Sequence, residues 1–140
     1  MAKASRDQFF SMLHSAHLRP RGFKKVRHTF SRELDGFGEH YQFQGSDWND
    51  EASDWRFYIN CGISFAGVPR REPDRDFPRV HAWARAPHLV HFALPHYDVS
   101  SEDPTAHVAE VVAVIDECSS YFARRHKHLA EAYARRDFKW

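Results

Sequence analysis

Apolar residues recur at helical spacing near the start of the chain, alternate with polar ones through its middle, and return to helical spacing towards its end. Ser5-Arg6-Asp7-Gln8 has the form of a capping box, in which the Ser hydroxyl accepts from a free backbone N–H and the Gln side chain reaches back. The helix it opens carries Phe9, Leu13 and Ala16 on one face, with Phe10 and His17 beside them, and is expected to end near Leu18, before Pro20 and Gly22. From Phe23 the period becomes two: Val26, His28 and Phe30 alternate with Arg27, Thr29 and Ser31, which predicts one half-buried strand. After the turn residues Asp35-Gly36-Phe37-Gly38, Tyr41 and Phe43 alternate with His40, Gln42 and Gln44 in a hairpin partner.

Residues 46–54 are polar and read as a loop. Over 55–65 the alternation is longest: Trp55, Phe57, Ile59, Cys61, Ile63 and Phe65 face one way, and Arg56, Tyr58, Asn60, Gly62 and Ser64 the other, as in a central strand. A Pro- and Arg-rich loop follows over 68–79, and segments 80–85 and 89–94 predict a second hairpin around Pro87. Asp103-Pro104 is a helix opening, since Asp caps free N–H groups and Pro at the first position loses no hydrogen bond. Val108, Val111, Val112, Ile115, Cys118, Phe122, His126, Leu129 and Tyr133 then share one helix face. A helix from 103 to 135 would be on the order of 50 Å long at 1.5 Å per residue, so a break near Ser119-Ser120 is expected, a projecting end being the alternative. Strands joined by short turns favour an antiparallel arrangement. The pattern therefore predicts one α+β domain over residues 1–140: a sheet of four to five strands covered on one face by an N-terminal and a long C-terminal helix.

Composition agrees with a packed core: 42% of the 140 residues are apolar and 15% aromatic. Twenty Lys and Arg against 19 Asp and Glu leave no global field to draw the chain to nucleic acid or an anionic membrane. Short apolar runs and the polar start Met1-Ala2-Lys3-Ala4-Ser5-Arg6-Asp7 predict neither a membrane span nor a signal peptide, and a cytoplasmic address. Cys61 and Cys118 lie within apolar patterns and read as buried, reduced thiols.

Three stretches, Leu18-Arg19-Pro20-Arg21-Gly22-Phe23-Lys24-Lys25, Thr29-Phe30-Ser31-Arg32 and Phe57-Tyr58-Ile59-Asn60-Cys61-Gly62-Ile63, resemble the bacterial domain-of-unknown-function family 4304. Where that family carries a second Lys-Lys-Gly-like step, this chain has Val26-Arg27-His28. The resemblance implies a fold and a bacterial cytosolic setting, and it brings no catalytic residue.

Candidate chemistry is scattered. His14 with His17, His88 with His91, and His126 with His128 fall short of a metal signature, and no metal or cofactor is expected. Gly62-Ile63-Ser64-Phe65-Ala66 approaches a nucleophile elbow but leads into a loop instead of a helix. Asp47, Asp50, Glu51 and Asp54 lack calcium-loop spacing, and Arg19, Arg21, Lys24, Lys25 and Arg27 form a basic run that reads as a solvated edge. The pleat gives the best surface. If Val26, Phe30, Phe57, Ile59, Val80 and Phe92 face the helices, then Arg27, Thr29, Gln42, Arg56, Tyr58, Asn60, Trp83, Arg85 and His91 share the opposite face. That face is either an ordinary solvated sheet or a binding surface rich in hot-spot residue types. The leading expectation is a non-enzymatic binding or interaction domain, extending to a toxin-neutralising role. It would use Arg27, Arg56, Tyr58, Asn60, Trp83, Arg85 and His91 to take an unidentified protein or small-molecule ligand. The rivals are a small metal- or acid-base-dependent enzyme built on His28, His81 or His91 beside Arg85, and a homodimer that buries the sheet face in place of a monomer.

Overall fold

A computed structural model describes residues 2–47, 49 and 54–140. Helix α1 (Ala2–Met12) is already under way at Ser5, so the capping-box reading fails: Ser5 is a buried residue of the helix and not its cap. The chain then widens into a π-helical segment (Leu13–Leu18), where Arg19 N–H reaches His14 O at 2.7 Å, five residues back. This wider turn places Leu18 on the buried face with Leu13 and leaves Ala16 exposed, contrary to the regular helical spacing. The helix ends at Leu18 as expected.

The predicted strand after Phe23 is a tight hairpin. Strands β1 (Lys24–Val26) and β2 (Thr29–Glu33) pair antiparallel with Val26 opposite Thr29, and Arg27 takes a positive φ of 56° in the turn. The reversal takes Val26 off the core, where it is 57% exposed, and lifts Arg27 off the sheet face. Strand β3 (Phe37–Gly45) pairs with β2 on one side and with β4 (Trp55–Phe65) on the other, the latter from Phe37 opposite Phe65 to Gly45 opposite Phe57. The second predicted hairpin does not form. Strands β5 (Ala82–Arg85) and β6 (Tyr97–Val99) both run antiparallel to β4 along the same edge, interrupted by a 3₁₀ turn (Ala86–His88) and a loop. His91 and Phe92 therefore lie in that exposed excursion, not on a strand.

Helix α2 (Val108–Ala134) is continuous, and its 27 residues span roughly 40 Å. No break occurs at Ser119-Ser120, and the helix starts after Asp103-Pro104, which shape the turn before it. Both helices cover one face of a six-stranded antiparallel sheet. Phe9, Phe10 and Leu13 pack on Phe30, Phe43 and Phe57, while Ile115, Cys118 and Phe122 join the cluster that holds Tyr41, Cys61 and Ile63. Both cysteines are free and buried, and burial pushes the Cys118 thiol well above its ordinary range. No helix of the described residues is long and apolar enough to cross a membrane.

Candidate functional site

The sheet face away from the helices carries two rows that cross all five consecutive strands. One is Val26, Thr29, Gln42, Asn60 and Arg85; the other is Lys24, Ser31, His40, Gly62 and Trp83. This face is not open throughout, because residues 69–81 fold back across it. Gly62 permits the approach: a Cβ there would lie 2.5 Å from Val80 Cγ1 and 3.0 Å from the Phe77 ring. Val80 is thus buried against the face that the pleat assigned to solvent, not under the helices.

Asp74 pins the crossing segment. Its carboxylate accepts from the Asp76 N–H at 2.8 Å and the Phe77 N–H at 3.2 Å, and from Trp83 Nε1–H at 2.9 Å. The Trp83 donor, then the backbone donors, hold the Asp74 carboxyl below its usual range. Asp76 O accepts from Gln42 Nε2–H at 2.7 Å, so the segment is tied to the sheet at both of its sides.

Between segment and sheet runs a groove. One chamber of about 340 Å³ has Thr29, Ser31, His40 and Gln42 as its floor, Phe77 and Pro78 as a wall, and Arg27 and Arg79 among its lining. A second, of about 560 Å³, holds Ser64 with Glu33, Arg70, Arg79 and His81. His40 lines both. Its ring shares hydrogen bonds with Ser31 Oγ through Nδ1 (2.8 Å) and with Ser64 Oγ through Nε2 (2.9 Å), and Phe77 stands edge-on to it. Only 2% of His40 is exposed. Burial first, and then the Arg79 and Arg70 charges, push its pKa down to about 4, so the ring is neutral at pH 7. His81 also lies low because of burial. It accepts from Phe65 N–H at Nδ1 (3.0 Å) and donates from Nε2 to Val68 O (2.5 Å), fixing the loop beside Ser64.

The predicted face residues divide into groups. Asn60, Arg85 and Tyr58 form a cluster in which Asn60 Nδ2–H donates to Gln42 (2.8 Å) and Gln44 (3.0 Å), Arg85 donates to Asn60 Oδ1 (2.7 Å), and the Arg85 guanidinium lies 4.4 Å over the Tyr58 ring. Arg56 pairs with Asp98 at 3.0 Å on the same face. Trp83 holds the crossing segment through Asp74, Arg27 borders the groove, and His91 is outside it. The histidines proposed for catalysis are held apart: His28 stacks on Phe10 at 4.5 Å, His81 bonds to backbone, His91 packs on Phe92, and Arg85 bonds to none of them. Among the described residues no three His, Cys, Asp or Glu side chains converge to hold a metal ion. Asp50 and Glu51 of the acidic loop lie outside the described residues.

His40, Ser31, Arg70, Arg79 and Phe77 line the groove although alternation and motif give them no role there. The available signal was Gly62, a glycine in the middle of a strand, together with Phe77 and Val80 as apolar residues in an otherwise Pro- and Arg-rich loop.

The fold and the groove together define a two-layer α+β protein whose sheet carries a ligand-sized recess on the side away from its helices. Neither the curated proteins nor the solved structures contain a match to it. A family model described as Domain of unknown function (DUF4304) matches residues 14–113, and the chain belongs to that family.

Proposed function

We propose that the protein is a binding module, without catalysis of its own, that takes a small molecule in the groove between the sheet and residues 69–81. The observation that carries this reading is the crossing segment itself, which turns a flat sheet face into a recess with a polar floor, an apolar wall and Arg27 and Arg79 at its border. A chamber of about 340 Å³ suits a small ligand, whereas a protein partner is better served by a flat surface. The same segment occupies part of the face that a homodimer would have to bury. Catalysis is disfavoured because His40 is backed by Ser31 and not by a carboxylate, so nothing stabilises the imidazolium that general-base action on Ser64 would create.

The test is thermal shift against a panel of anionic, neutral and cationic small molecules, for the wild type and for Thr29→Trp, which places an indole in the chamber. At least one compound is expected to raise the wild-type Tm by several degrees and to leave Thr29→Trp unmoved. Compounds that stabilise both equally, or a panel that stabilises neither, would sink the reading.

A further inference from the structure

Resting on the groove as a ligand site, we infer that its Ser64 end is an oxyanion subsite that receives a single carboxylate or phosphate group of the ligand. Arg70 and Arg79 both line this end, and both act on the His40 ring beneath it. Arg70 is steered there by donating to Arg79 O at 3.2 Å, which uses one of its five donors and leaves the others for a ligand. The floor donor is Ser64. Ser64 Oγ lies 2.9 Å from His40 Nε2 and lines the cleft; in the tautomer whose Nε2–H donates to it, the Ser64 hydroxyl keeps its own hydrogen for an acceptor in the cleft. His81 fixes the 65–68 backbone that carries Ser64 into the loop, so the donor is pre-positioned.

Charge sets the size of the anion. Glu33 stands across the cleft next to Ser64: from the position of a Cβ on Gly38, Ser64 Oγ is 2.5 Å away and the Glu33 oxygens 2.8 and 2.9 Å. Two guanidinium groups against one carboxylate leave one net positive charge, which suits one small anionic group, a carboxylate or a phosphate of charge about one to two, and offers nothing further to a polyanion such as nucleic acid. Glu33 also accepts a hydrogen bond from any hydroxyl or protonated oxygen beside the bound group.

The probes are inorganic phosphate and acetate, titrated separately into ¹⁵N-labelled full-length protein at pH 7 and constant ionic strength, with amide shifts followed by NMR. Saturable shifts confined to residues 64–70 and 79–81 are expected with at least one probe, and the stronger probe tells phosphate from carboxylate. Arg79→Gln, at an exposed position, is expected to weaken that binding about tenfold, Ser64→Ala several-fold, and the distant control Arg124→Gln not at all. Linear shifts spread over the basic surface, or equal binding by wild type and Arg79→Gln, would overturn the subsite. Groove ligands that prove neutral, with phosphate and acetate both silent, would remove the subsite and leave the binding reading standing. Saturable anion binding with no compound responding to Thr29→Trp would do the reverse.

Discussion

His40 shows how one residue's chemistry depends on its cover. Placed at ordinary exposure on a sheet face, an imidazole titrates near 6.5, but here the crossing segment and two serines enclose it and its pKa falls to about 4. The sign follows from the unfolded chain, where the ring binds a proton near 6.5. As pH drops from 6.5 towards 4 the unfolded state is protonated first, and stability present above 6.5 is progressively lost. At about 1.4 kcal/mol per pH unit the loss from this group is on the order of 3 kcal/mol, and half-buried His28 and His81, both also shifted down, act in the same direction. Urea unfolding of the wild type at pH 7 and pH 4.5 is expected to show the midpoint falling, and His40→Gln to show a clearly smaller fall. An identical pH dependence in the variant would refute the assignment.

At the scale of elements, the segment 69–81 behaves as a wall built on one glycine. Gly62→Ala adds a methyl group 2.5 Å from Val80 Cγ1, and the short branched side chain of Val80 has no slack to yield. Overpacking of this kind costs about 1–3 kcal/mol in a close-packed site. Because the strand behind Gly62 is paired on both sides, the strain is expected to lift the segment and spare the sheet. Hydrogen exchange of Gly62→Ala should quicken at Phe77, Asp76 and the neighbouring amides while β3 and β4 stay protected. Loss of protection throughout the sheet would show instead that the segment and the sheet fold as one unit.

For the whole molecule, the two layers are joined by a buried charge as well as by apolar packing. Glu39 is fully buried on the helix side, where it accepts from Arg32 Nη2–H (2.8 Å), Tyr41 O–H (2.7 Å) and Ser119 O–H (3.0 Å). Arg32 also donates to Arg21 O (2.9 Å) and lies 4.6 Å over the Phe23 ring, while Arg21 grips Asp116 of α2 with two bonds of 3.1 Å. Ser119 is therefore a contact between helix and sheet, which explains why the serine pair does not interrupt α2. Glu39→Ala strands an arginine, a tyrosine hydroxyl and a serine, and is expected to cost about 3 kcal/mol or more. Ser119→Ala removes one hydrogen bond, for about 1 kcal/mol. Chemical denaturation of both variants checks the ranking, and equal losses would mean that Glu39 is solvated in the folded protein.

Residue spacing is enough to specify the elements whose faces are set along the chain. The helix end at Leu18 follows from Pro20 and Gly22, and the periods of β3, β4 and α2 and the burial of both cysteines follow from spacing, because a 2.0 or 3.6 repeat fixes which side chains share a face. Asn60, Tyr58 and Arg85 were legible as face companions for the same reason. Other features depend on contacts between segments far apart in the chain. The π turn that turned Leu18 inward, the reversal at Arg27 and the interrupted edge strand each replaced a regular period with a local geometry set by what lies opposite. The groove is the clearest case, since parity places His40 and Ser64 on a polar face, but only a segment returning from residues 69–81 encloses them. Alternation along a strand reports which way a side chain points. It carries no information about what the chain later lays on top of it.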